Sequence, residues 1–174
     1  MIVENKKVLI MMSTYNGETY LKQLLDSIYA QEACDVDLLV RDDGSSDGTI
    51  SILKEYEGIY GLKFYTGKNL RSAGSFYNLL MEASLEYDYY AFSDQDDYWE
   101  KDKLIQAVAK LNNVEETIPC LYYSGQKIAN EKLEIIYHHN LDTRRNVYAN
   151  FLFNQVAGCT AVAAMPSTAV RRLS

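Results

Sequence analysis

Apolar residues fall in two rhythms along this chain. Residues 8–12, Val-Leu-Ile-Met-Met, are continuously apolar, which suits a strand covered on both faces of a sheet. After a polar turn at residues 13–17, Tyr20, Leu21, Leu24, Leu25 and Ile28 recur at helical spacing and predict an amphipathic helix to about Tyr29. Residues 36–40 read as a second strand and residues 42–48 as a dense turn. A helix over 49–56 follows, with Ile52, Leu53 and Tyr56 inward. Residues 62–65 form a short third strand. A loop at 67–74 then enters a helix bearing Phe76, Leu79, Leu80 and Ala83. The fourth strand, 89–92, stops at Ser93 and a run of acids, and Leu104, Ile105, Val108 and Leu111 mark the next helix. Four such alternations predict an α/β fold: a mostly parallel open sheet with flanking crossover helices.

The pattern loosens after residue 111. Residues 121–124 suit a strand, and Ile128 with residues 133–137 suits a hairpin or edge strand. Residues 148–153 suit a short helix. Residues 159–164 are apolar but Ala-rich, which leaves strand and helix open. Ser167 is placed to cap a helix over 167–173, and the chain ends inside that pattern.

Composition narrows the classes. At 174 residues, with 48% hydrophobic and 24% charged positions, the chain has material for one buried core. Seventeen basic against 24 acidic residues give a net charge of -7, which argues against a nucleic-acid partner. Cys34, Cys120 and Cys159 are widely spaced and form no Cys-x-x-Cys pair. Free thiols in a reducing, cytoplasmic setting are expected. No apolar run reaches membrane-spanning length, so any membrane association is expected to be peripheral, at the inner face.

The candidate chemistry lies where the strands end. In an open α/β sheet, ligands bind outside the carboxyl ends of the strands. Three polar clusters fall there: Ser13 to Glu18, Arg41 to Gly48, and Ser93 to Trp99. In the third, Asp94 and Asp96 flank Gln95, so alternate side chains of an extended segment would face one site. Paired carboxylates suit Mg2+ or Mn2+. Asp97 and Glu100 read as acids at a helix start near Lys101. In the second cluster, Asp42 and Asp43 suit a base or ribose. Equally, Asp42 braces the turn while Ser46 or Asp47 caps the next helix. Tyr15 suits stacking on a planar ring, and Trp99 suits either a sugar site or plain packing. Lys68 and Arg71 lie where a phosphate would meet them. The adjacent His138 and His139 lack metal-ligand spacing.

Taken together, Met12-Ser13-Thr14-Tyr15-Asn16-Gly17-Glu18, Arg41-Asp42-Asp43-Gly44-Ser45-Ser46-Asp47-Gly48-Thr49 and Phe92-Ser93-Asp94-Gln95-Asp96-Asp97-Tyr98-Trp99 resemble the family 2 glycosyltransferases. The third stretch, with Gly158-Cys159-Thr160, is most similar to the bacterial rhamnosyltransferase-like subgroup. The resemblance implies the GT-A fold, with a donor-binding half at 1–111 and the beginning of an acceptor half at 112–174. It implies inverting transfer from a nucleoside diphosphate sugar, UDP- or dTDP-linked, to a saccharide or lipid-linked saccharide in cell-surface polysaccharide synthesis.

Carried over by position, Ser13, Tyr15, Asp42, Asp43 and Asp94 would bind the nucleotide. Asp96 with Asp94 would hold Mn2+ or Mg2+. Trp99, Gly158, Cys159 and Thr160 would lie near sugar and acceptor. Two departures stand out. Arg71 occupies a position where the family commonly has glycine, and there it suits a diphosphate contact. No acidic motif before Ser174 matches the family's general base, so the base is expected farther downstream, with transfer by these 174 residues alone weak. A metal-dependent nucleotidyltransferase and a non-catalytic sugar-nucleotide binding domain are the alternatives. The former would favour a glycine-rich basic loop that residues 13–18 lack.

Overall fold

The apolar run at residues 8–12 is the middle of a longer strand that has neighbours on both edges and on both faces. The computed structural model describes residues 6–114, 119–139 and 158–164. In chain order its elements are β1 (Lys6–Thr14), α1 (Glu18–Tyr29), β2 (Cys34–Asp42), α2 (Thr49–Tyr60), β3 (Lys63–Thr66), α3 (Arg71–Glu82) and β4 (Tyr89–Ser93). There follow α4 (Lys103–Leu111), β5 (Cys120–Tyr123), β6 (Gln126–Ala129), β7 (Ile135–His139), a 3-10 turn at Gly158–Thr160 and β8 (Ala161–Ala164).

Six strands form one sheet in the order β3-β2-β1-β4-β8-β5. The first four are mutually parallel, and β8 runs antiparallel to both β4 and β5. The period of two in β1 explains its continuous hydrophobicity. Val8, Ile10 and Met12 face a core with Leu21, Leu24, Leu25 and Ile28 of α1 and Leu104, Ala107, Val108 and Leu111 of α4. Leu9 and Met11 face the opposite way, toward Leu79 of α3 and Tyr90. The chain builds outward from β1 through β2 to β3, then returns to place β4 on the other side of β1. That reversal makes a crevice at the carboxyl ends of β1 and β4.

Several boundaries differ from the sequence expectation. β1 and β2 extend through their polar ends because Ser13 pairs with Arg41 and Thr14 with Asp42 in the ladder. The expected loop at 67–74 is shorter: α3 begins at Arg71, and Gly74 lies inside it. α4 starts at Lys103 rather than near Lys101. Residues 158–164 resolve into a 3-10 turn and then a strand. The expected hairpin is present as β6 paired with β7. The helices expected at 148–153 and 167–173 lie outside the described residues.

Candidate functional site

The first two polar clusters are largely engaged with each other. Asn16 donates its backbone N–H to Ser45 Oγ at 2.8 Å and accepts the Ser46 N–H at Oδ1 at 2.8 Å. The backbone N–H of Glu18 donates to Asp47 Oδ2 at 3.1 Å, and Glu18 Oε2 accepts the Gly48 N–H at 2.7 Å. Asp47 Oδ1 also accepts the Thr49 N–H at 3.0 Å, which identifies Asp47, not Ser46, as the residue covering the start of α2. Asn16 has φ 49°, a left-handed conformation that asparagine tolerates better than most residues.

Asp42 is fully buried and braces its turn. Its carboxylate accepts the N–H groups of Gly44 and Ser45 at 3.0 and 2.9 Å, and the hydroxyls of Thr14 and Ser45 at 3.0 and 2.5 Å. The Asp43 carboxylate is buried beside the Arg41 guanidinium and accepts the Leu70 N–H at 3.0 Å. Ser13 Oγ donates to Ser75 Oγ at 2.7 Å. Tyr15 projects outward, 49% exposed. Arg71 is exposed at the start of α3 with φ 60°, a left-handed conformation that favours glycine.

A two-bond bridge closes the crevice between β1 and β4. The Tyr15 N–H donates to Gln95 Oε1 at 2.8 Å, and Gln95 Nε2 donates to the Tyr15 carbonyl at 3.1 Å. A Cβ on Gly17 would sit 2.5 Å from that same Gln95 oxygen, so glycine is what lets the amide approach. In the sequence Gln95 carries no signal of its own and stands only between two acids.

The acids after β4 are arranged differently from expectation. Gln95 and Asp96 form a turn, so the expected strand-like alternation of Asp94 and Asp96 does not occur. A turn brings its first and fourth residues together. Asp94 and Asp97 accordingly converge with Cys159, their ligand atoms all within 4.8 Å of one another. Asp96 lies close enough that its charge raises the pKa of both Asp94 and Asp97. For each of those two, burial of the carboxyl is the largest cause of the raised pKa. A hydrogen bond from Cys159 and the charge of Lys103 oppose it. Glu100 is not at a helix start; it pairs with Lys127 of β6.

Lys103 was not singled out from sequence, yet it ties this cluster together. Its ammonium donates to the Cys159 carbonyl and lies 3.8 Å from the centroid of the Trp99 ring. Burial pulls its pKa down to about 8, although Asp97, Cys159 and Asp94 all act to raise it. Burial also pushes the Cys159 thiol up to about 12, with the Asp97 charge adding to it. That thiol therefore stays protonated at neutral pH and serves as a donor to the acids. The remaining donor set is hard: carboxylates of raised proton affinity, with one buried Asp97 oxygen lacking a hydrogen-bond partner. Such a set fits Mg2+ or Mn2+.

Beside the cluster opens a groove of about 980 Å³, lined by Tyr20, Asp96, Lys103, Gln126 and Thr160 among others. Trp99 reaches its wall but is only 2% exposed, so its ring is chiefly a core residue under Lys103. The groove wall thus holds Asp96, Asp97, Trp99, Cys159 and Thr160, with Asp94 beside Asp97 and Cys159, and Ser13, Tyr15 and Asp43 lie at the ends of β1 and β2. Asp42 is turned into its own turn.

A family model for glycosyl transferase family 2 matches residues 9–173. The dTDP-rhamnosyl transferase RfbG of Shigella flexneri is 36% identical over 126 residues, which are 67% of this chain and 44% of that protein. Residues 1–349 of TarS from S. aureus, in complex with UDP-GlcNAc, superpose with a TM-score of 0.67 at 20% identity, covering 96% of this chain and 47% of that one. The mannosyltransferase PcManGT from Pyrobaculum calidifontis, in complex with GDP-Man and Mn2+, gives a TM-score of 0.59 at 19% identity over 98% of this chain and 47% of that one. At these identities the likeness speaks for the fold, which is the GT-A arrangement of a mostly parallel sheet with flanking helices. The chain spans less than half the length of the curated relatives it matches. With the family model spanning nearly its whole length, the chain belongs to glycosyl transferase family 2.

Proposed function

We propose that this chain carries the donor side of a metal-dependent, inverting sugar transferase. The donor is a nucleoside diphosphate sugar, UDP- or dTDP-linked, with a rhamnosyl group the most specific version. The acceptor is a saccharide or lipid-linked saccharide presented at the inner membrane face, in cell-surface polysaccharide synthesis. One observation carries the reading: Ser13, Tyr15, Asp43 and Asp94 converge at the carboxyl ends of β1, β2 and β4, with the Tyr15–Gln95 bridge across the crevice. The 36% identity to a dTDP-rhamnosyl transferase supports the choice of donor.

In this reading Tyr15 covers the base, Asp43 accepts a hydrogen bond from it, and Ser13 lies at the ribose. Asp94 and Asp96, joined by Asp97, hold Mn2+ or Mg2+. A bound divalent cation supplies positive charge against the departing diphosphate. Arg71 reaches the diphosphate from the start of α3. Residues 1–111 form the donor half and residues 112–174 begin the acceptor half, with the groove beside Cys159 and Thr160 on the acceptor side.

Calorimetry with UDP, dTDP, GDP and CDP, each with Mn2+ and with EDTA, tests this. Metal-dependent binding of a uracil or thymine nucleotide, weakened by Asp96→Ala and by Asp94→Ala, is expected. Affinity unchanged in both variants rejects the metal assignment. Absence of binding to every nucleotide rejects the donor reading.

A further inference from the structure

Position 41 is an anomaly in β2. It follows the apolar Leu38-Leu39-Val40 and points a guanidinium into the protein, where the residue is only 3% exposed. A buried ion pair is a poor source of net stability, because desolvation offsets most of the attraction. The surroundings of Arg41 show what it supplies instead.

Its planar fork is gripped from several elements at once. Nε donates to Asn78 Oδ1 of α3 at 3.1 Å, Nη1 to Ser75 Oγ of α3 at 3.2 Å, and Nη2 to the Lys68 carbonyl at 2.8 Å. Nη1 also pairs with Asp43 Oδ1. Those partners have anchors of their own. Asn78 accepts the Tyr65 hydroxyl at 3.0 Å, and Ser75 accepts Ser13 Oγ at 2.7 Å. A Cβ on Gly67 would lie 2.7 Å from Nη2, so the missing side chain there is what admits the guanidinium. The other Asp43 oxygen is held by the Leu70 N–H.

We propose that Arg41 is the positioning residue of the donor-base pocket. Held in one plane by β2, α3 and the 67–70 loop, it fixes the direction in which the Asp43 carboxylate presents its remaining lone pairs. The inference rests on the reading above in which Asp43 meets the base. A carboxylate pinned at both oxygens is an acceptor of fixed aim. It accepts the ring N3–H of uracil or thymine and opposes cytosine, whose N3 is itself an acceptor. Arg41 therefore acts on the choice between bases, through Asp43, without touching the nucleotide.

The test is the ratio of UDP to CDP affinity, measured by calorimetry in Mn2+ on the full 174-residue chain. The wild type is expected to prefer UDP by about tenfold or more, the effect of one mismatched buried hydrogen-bonding group. Arg41→Lys keeps the charge but loses the fork, and should collapse that ratio by weakening UDP while leaving CDP nearly unchanged. Asn78→Ala and Gly67→Ala disturb the fork without removing it. They should shift the ratio the same way, which covers an Arg41 variant that fails to fold. UDP and CDP weakened by the same factor in all three variants would make Arg41 a structural residue and overturn the proposal, as would equal affinity of the wild type for both. Asp43→Asn separates the two claims. A ratio unchanged in that variant removes the base role of Asp43, whereas a ratio lost there but kept in the Arg41 and Asn78 variants removes only the role of Arg41.

Discussion

Lys103→Met isolates the electrostatics of the acidic cluster. Methionine keeps most of the length of the side chain and its packing over Trp99, but not the charge. In the folded chain the ammonium loses its proton at about 8, against 10.5 for an unperturbed lysine. Holding that proton in the fold costs roughly 3 kcal/mol at neutral pH. The sign follows from proton counting. Between those two values the unfolded chain binds more protons than the folded one, so stability rises with pH. Below both values the two states carry the proton alike and the penalty is constant. From pH 8 to 9.5 the gain is roughly 1–2 kcal/mol. The raised thiol of Cys34 works in the opposite direction in both proteins alike, and loss of Lys103 only pushes the Cys159 thiol further up, which leaves it protonated across this range. Tyr29, Tyr56 and Tyr87, pushed up to about 12 chiefly by burial, intervene only above pH 10. Urea denaturation of wild type and variant in EDTA, from pH 7 to 9.5, reads the effect. The wild type should gain on Lys103→Met by roughly 1–2 kcal/mol across the upper part of that range. Parallel curves would refute the argument, because they would mean that Lys103 is as well solvated in the fold as out of it.

Two further outcomes follow from the loops. Asp42→Ala strips one buried and three part-buried donors of their acceptor and should destabilise the chain by about 2–3 kcal/mol in chemical denaturation; a loss under about 1 kcal/mol would contradict the bracing role. Arg71→Gly relieves a left-handed conformation costing about 1–2 kcal/mol, partly offset by the entropy of glycine. Unfolding stability should therefore hold or rise slightly while UDP affinity in Mn2+ falls, and an affinity equal to wild type would remove Arg71 from the diphosphate.

The strands and helices were legible because their signals are local. β1 reads as buried on both faces from five consecutive apolar residues, and α1 reads from the spacing of Leu21, Leu24, Leu25 and Ile28. The neighbourhood of the site was legible for the same reason, since polar residues interrupt each strand at its carboxyl end. Their division of labour was not. Asp42 reads equally as ligand and brace, Asp47 reads as a cap and Asn16 carries no signal of its own, and their partners are backbone groups some thirty residues away or in their own turn. The turn at Gln95–Asp96, which groups Asp94 with Asp97, depends on geometry that alternating acids do not announce. Arg41 carried one signal that went unused: a charge directly following an apolar strand, where burial demands a partner.

That division bears on how a diphosphate can be held. The usual solution on an open α/β sheet is a helix N-terminus, whose free N–H groups and positive dipole end receive the phosphate. Here the helices that follow the first two polar clusters, α1 and α2, are already engaged at their starts. The Gly17 and Glu18 N–H groups donate to Thr49 and Asp47, and those of Gly48 and Thr49 donate to Glu18 and Asp47. Both engagements bring a carboxylate to the helix start, so a phosphate arriving there would meet like charge and occupied donors. This argues against a phosphate-loop nucleotidyl site at residues 13–18. The charge of a diphosphate must then be met elsewhere, and two places remain. One is the exposed Arg71 at the start of α3. The other is the wall of Asp94, Asp96 and Asp97, which is itself anionic and can receive a diphosphate only by way of a cation. In the proposed reading, the need for a divalent cation rests on the engaged starts of α1 and α2 as well as on the acids.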